Sequence, residues 1–354
     1  MSRKKGVILS YVGLIIDILS GMIYVPFLLR SLGQAEYGIY SLTTTISSYL
    51  LLLDLGVGNA LVRYMAKYRV NKDDENQSKF YGLSIIFYTA IFLIAVIVGV
   101  ILCLIFPSAF SKGLTVEEIK LAQKLLFVTM LNAGFTLLFV TFSKLLIAYE
   151  KYTAAKLIDM IKVIVRVSGC TLMLVFGAKS LAITIVNLAS TILMGIVTII
   201  YVKSKIKIKP KFKNLQFSFI KEILNYTAFI LLQMIVVQIN TMTDQVLIGA
   251  LVEASAIILG IYAAGAQICQ YFKAIALSVN GIIMPGVVEL VENKATTEEI
   301  YKEFLKISRI LFIILGIIWV GFLINGKYFI ELWAGQDASD AYYVALIIML
   351  PLVF

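Results

Sequence analysis

IIFYTAIFLIAVIVGVILCLIF, residues 85–106, carries no charge between its ends. As an α-helix it spans about 33 Å, enough to cross roughly 30 Å of hydrocarbon. A soluble helix of this length needs a polar face, and this one has none. LAITIVNLASTILMGIVTIIYV, residues 181–202, repeats the pattern. Around these runs the whole chain of 354 residues is 60% apolar and only 15% charged, a membrane composition. In lipid the backbone must satisfy its own hydrogen bonds, and the strict alternation of a barrel strand is missing, so the runs are read as helices.

Spans are expected near residues 6–31, 38–62, 80–106, 121–147, 153–177, 180–202, 223–250, 256–288 and 304–325, with a tenth beginning near Ala341. Gly6 to Leu29 is too long for the apolar core of a signal peptide and is expected to be retained. Cys103, Cys170 and Cys269 fall inside apolar spans, where they act as small hydrophobes without disulfide or metal-ligand spacing. The absence of histidine removes the commonest general base and transition-metal ligand. No metal, no cofactor and no enzymatic activity are expected, and the short loops and missing nucleophile motifs agree.

Of the 31 basic residues, 22 lie at one set of span ends and six at the other. The rich ends mark the cytoplasmic side and put the N-terminus there. This distribution also accounts for the net charge of +10, so no nucleic-acid partner is implied. The remaining three, Lys162, Arg166 and Lys273, lie within spans, as do Asp17, Asp54, Asp159 and Asp244. A charge at the bilayer centre costs about 2.5–3.5 kcal/mol, so these side chains should face protein or water. Asp159, Lys162 and Arg166 fall within roughly 60° of helical arc, one polar stripe on an apolar helix. Asp54 is expected only to reach the inner interface. KSKIKIKPKFK, residues 203–213, reads either as a topology anchor or as a basic strand for anionic lipid, and the anchor is favoured.

That linker separates two similar stretches. EYGIYSLTTTISSYL (36–50) aligns with ILGIYAAGAQICQYF (258–272) at an offset of 222 residues. Both halves start on the same side of the membrane, which makes them parallel repeats. The expected organisation is a six-helix bundle over 1–202, a basic linker over 203–222 and a second bundle over 223–354. Six helices per bundle would require about twelve spans, so the second bundle is expected to be truncated at Phe354. Such repeats place a substrate path between the halves.

YVPFLLRSLGQAEYGIYSL (24–42), followed by LDLGVGNALVRYMAKYR (53–69), resembles the Wzx-type oligosaccharide flippases of polysaccharide biosynthesis, members of the MOP exporter superfamily. DQVLIGALVEASAIILGIYAAGAQI (244–268) and KYFIELWAGQD (327–337) are similar to that family's corresponding segments. The resemblance implies an all-α polytopic membrane protein of two MOP/MATE-like bundles in a bacterial inner membrane. It implies transfer of undecaprenyl-diphosphate-linked oligosaccharide to the outer leaflet for lipopolysaccharide O-antigen or capsule, beside polymerase and chain-length proteins and in contact with membrane lipids.

On this reading Arg166, Lys162 and Lys273 are a cationic surface for the diphosphate. Asp17, Asp159 and Asp244 either balance that charge, couple transport to an ion, or simply pair with the bases. Pro26 and Pro285 remove helix hydrogen bonds and are either hinges or static kinks. Two other functions stand beside the flippase. One is an ion-coupled small-molecule exporter of the same superfamily with Asp17 as its cation site; the other is a membrane enzyme of the same pathway.

Overall fold

The computed structural model describes residues 2–213, 218–292 and 295–353, without the side chains of 2–12, 14, 15, 17, 218–230, 278–289, 291 and 292. Every expected span but the second has one continuous helix, and no strand occurs among the described residues. The helices are α1 (Ser2–Leu32), α2 (Gln34–Ser48), α3 (Val57–Val70), α4 (Asp74–Phe110), α5 (Val116–Ala148), α6 (Tyr152–Val175), α7 (Ser180–Lys205), α8 (Ser218–Leu251), α9 (Ser255–Glu292), α10 (Thr297–Ala334) and α11 (Ala341–Met349). Seven spans among the described residues are long and apolar enough to cross a membrane. Tyr152–Val175 is outside that set, as Lys156, Asp159, Lys162 and Arg166 on one helix would predict.

Local chemistry sets the helix ends. Gly33, at φ 77°, closes α1 by donating its N–H to the Leu29 carbonyl at 2.9 Å. Asp73 caps α4 by accepting from the Asn76 amide at 3.1 Å. Thr115 with Glu118 and Thr296 with Glu299 form capping boxes at the starts of α5 and α10. The α1 helix continues through Pro26, and α9 through position 285.

The second span departs from expectation. Instead of one helix over 38–62, α2 passes into a 3-10 segment, Tyr49–Asp54, and the chain then turns at Leu55 (φ 51°) and Gly56 (φ 73°) before α3 begins. Two successive left-handed residues cannot continue a right-handed helix. The released groups find partners nearby, which is what lipid demands of a broken helix. Leu55 N–H donates to Leu52 O at 3.1 Å, and Asn59 and Ala60 donate to Gly56 O.

Contacts group the helices into two units. The first comprises residues 1–24 and 39–256. In it α4, α5 and α7 pack closely because glycines face large side chains: Gly99 meets Met130, Gly134 meets Phe92, and Gly195 lies against the Phe139 ring. One part of its core is an aromatic cluster containing Tyr64, Tyr68, Phe80, Tyr81 and Tyr88. There Arg69 pairs with Glu150 at 3.2 Å and lies over the Tyr149 ring. The second unit comprises 25–38 and 257–354. Within it Gly265 on α9 abuts Ala341 and Val344, Cys269 donates to the Ala345 carbonyl, and Arg30 donates to the Leu332 carbonyl at 2.8 Å.

Candidate functional site

The polar stripe of α6 lies in the first unit. Leu157, Ile161, Ile164, Leu172 and Val175 are exposed and share one side of the helix. At 100° per residue Arg166 projects about 160° away from their mean direction. Arg166 is exposed, and so is Met173 about 20° from it on the helix. Lys162, on the same side, is half-buried.

Around Arg166 the unit gathers hydroxyl, thiol and amide groups from α1, α2, α6 and α7. Tyr24, Tyr40 and Cys170 all lie within electrostatic reach of its guanidinium. Asn187 donates through Nδ2 to the Tyr40 hydroxyl at 3.2 Å, and its Oδ1 accepts from the Cys170 thiol at 3.5 Å. The Tyr24 hydroxyl is buried and faces Cys170, with no conventional hydrogen-bond partner among the described residues. The grouping brings fixed positive charge, hydrogen-bonding groups and aromatic rings together. An anion or a hydroxylated ring matches that set.

Asp159 is exposed and pairs with Lys156 at 3.9 Å, one turn toward the start of α6. Its ion pair is thus with Lys156, and it lies two turns from Arg166. Lys273 is in the second unit, half-buried on α9, one turn from buried Cys269 and one turn from exposed Leu277. Asp244 is exposed on α8. The side chains of Asp17 and Pro285 lie outside the described residues, and Pro26 is half-buried in α1.

Two polar groupings are poorly legible in the sequence. At the break after α2, the Asp54 carboxylate accepts from the Tyr88 hydroxyl, and Lys144 Nζ donates to Asn59 Oδ1 at 3.3 Å. The Asp54 carboxyl thus has a donor from a fully buried tyrosine. The LDLG step was the available signal, since an acid beside glycine inside an apolar run marks a helix that stops. The second grouping joins α2 to α8. Gln245 Oε1 accepts from Ser41 and Thr45, Gln238 Nε2 donates to Ser48, and the N–H and hydroxyl of Ser255 both donate to the Gly113 carbonyl. Gly113 has no space for a side chain there, because a Cβ would lie 2.2 Å from the Gly249 carbonyl oxygen.

The described helices, which include seven spans long and apolar enough to cross a membrane, define an all-α polytopic membrane protein. Solved structures agree on the fold. The chain is similar to lipid II flippase MurJ in an inward closed conformation, with 20% identity and a TM-score of 0.70, covering 98% of this chain and 72% of that one. It is similar to an inward-facing multidrug resistance MATE family transporter of the MOP superfamily, with 12% identity and a TM-score of 0.66 over 99% of this chain and 84% of that one. The eukaryotic MATE transporter AtDTX14 aligns with 16% identity and a TM-score of 0.64, covering 99% and 80% respectively. No curated protein matches the sequence. The polysaccharide biosynthesis protein family model matches residues 2–291, and the chain belongs to that family.

Proposed function

We propose that this protein flips a polyprenyl-diphosphate-linked oligosaccharide from the cytoplasmic to the outer leaflet during cell-surface polysaccharide synthesis, O-antigen or capsule. The observation that carries the proposal is the exposed Arg166 on α6, beside the hydroxyls of Tyr24 and Tyr40. A diphosphate cannot shed its hydration into hydrocarbon without compensating charge. A guanidinium supplies that charge with two parallel donors, and Lys162 adds a second cation one turn away. The tyrosines and Asn187 suit the hydroxyls of the sugars. Membership of the polysaccharide biosynthesis family supports the substrate class, and the MurJ-like fold supports leaflet transfer.

In this reading Lys273 is a second contact for the head group, Asp17, Asp159 and Asp244 balance or couple charge, and Pro26 and Pro285 are bending points. The basic ends of the helices face the cytoplasm of a bacterial inner membrane, with polymerase and chain-length proteins as neighbours in the pathway. The two repeats correspond to 1–202 and 223–354. An exporter of organic cations would meet repulsion at Arg166, which counts against that alternative.

The test is reconstitution into vesicles with fluorescent lipid-linked oligosaccharide. Arg166→Gln removes a charge-assisted pair worth about 1.5–3 kcal/mol and should lower transfer about 10- to 100-fold, with Arg166→Lys intermediate. Unchanged transfer in Arg166→Gln, or a drug-tolerance phenotype with no change in surface polysaccharide, refutes the assignment.

A further inference from the structure

The basic segment after α7 is docked, and docking changes what its lysines can do. Ile206 and Ile208 pack against the aromatic cluster of the first unit. Lys211 N–H donates to the Ser78 carbonyl at 2.9 Å. The Lys211 carbonyl oxygen lies so close to α4 that a Cβ on Gly82 would approach it to 2.1 Å. Lys207, between the two isoleucines, has φ 58°, a conformation a lysine holds only where its surroundings fix it.

The result is a segment with its apolar side chains inward and its lysines outward. Ile206, Ile208 and Pro210 are half-buried, while Lys203, Lys205, Lys207, Lys209, Lys211 and Lys213 are exposed. Residues 203–213 contain no acid. Glu75 is within electrostatic reach of Lys211; among the described residues no acid pairs with Lys205, Lys207, Lys209 or Lys213.

Depth identifies the partner. The last charge on α4 before its apolar run is Lys79, and the docking point at Ser78–Gly82 straddles that boundary. The lysines are thus held at headgroup depth. A topology anchor needs only charge during insertion; a fixed conformation adds nothing to it.

We propose that residues 203–213 form a lysine comb that binds the phosphate headgroups of anionic phospholipids in the leaflet at this end of the bundle. Each lysine contributes through the negative surface potential, which decays within a Debye length. Headgroup binding would press the segment onto α3 and α4 and tie the order of the link between the two repeats to lipid composition.

The full chain in nanodiscs tests this, with chymotryptic nicking at the exposed Phe212 as the readout. In discs of phosphatidylcholine with added phosphatidylglycerol, nicking should be at least about tenfold slower than in phosphatidylcholine alone, and high salt should erase the difference. Protection should shrink as these lysines are removed. Lys205→Gln/Lys207→Gln/Lys209→Gln/Lys213→Gln should therefore lose the lipid dependence while its thermal unfolding in phosphatidylcholine stays that of the unaltered chain. Equal nicking in the two lipids overturns the proposal, as does protection that survives in the glutamine variant or in high salt. Inorganic diphosphate added to phosphatidylcholine discs separates a second source of phosphate: full protection by the free anion would show a soluble-phosphate site and overturn the lipid assignment. No protection by the free anion supports the leaflet.

Discussion

Gly82→Ala isolates the backbone approach that holds the link between the repeats. The added methyl would lie 2.1 Å from the Lys211 oxygen and 2.9 Å from its carbonyl carbon, where relaxed contacts need about 3.5 Å or more. The α4 helix is packed along its length, so the linker has to yield by more than about 1 Å. That displacement takes the Lys211–Ser78 hydrogen bond from 2.9 Å beyond useful range. The lost bond costs about 1 kcal/mol, and partial exposure of Ile206 and Ile208 about 1–2 kcal/mol more. Alanine in place of glycine returns up to about 1 kcal/mol to the helix itself. The net change of about 1–2 kcal/mol falls on the linker, so chymotryptic nicking at Phe212 should rise about tenfold while the unfolding of the bundle moves little. Unaltered nicking would refute the close approach; a large loss of global stability would mean that α4, rather than the linker, gave way.

Two further changes address the break and a cap. Tyr88→Phe removes the donor to Asp54 from a fully buried position and should destabilise the first unit by about 1.5–3 kcal/mol in denaturant titration; the loss should shrink in an Asp54→Asn background, and additive losses would refute the pairing. Asp73 accepts from the side chain and amide of Asn76, which hold its carboxyl below the ordinary range. A depressed folded pKa gives stability that is present above the unfolded value near about 3.9 and lost as pH falls through the folded one. Hydrogen-exchange protection of the Asn76 amide should therefore fall below about pH 4 in the parent and stay flat in Asp73→Asn; a matching fall in both would sink the cap assignment.

The sequence by itself determined most of the helices, their order and their length against a membrane, though not the break after α2. Lipid leaves an apolar backbone segment almost no other conformation, so runs such as 85–106 carry their own answer. Capping boxes at Thr115 and Thr296 are likewise local, readable from four residues each. Only tertiary structure decided where the polar side chains point. Asp159 sits equally close in sequence to Lys156 and Lys162, and it pairs with Lys156. Helical spacing puts Arg166 on a stripe, but only the packed helices bring Tyr24, Tyr40 and Asn187 to the same place. Gly82 and Gly113 look like ordinary glycines until Lys211 and Gly249 arrive against them from distant parts of the chain. Such choices depend on which surfaces meet after the helices form, and a contact more than a hundred residues away leaves no periodic mark on the sequence.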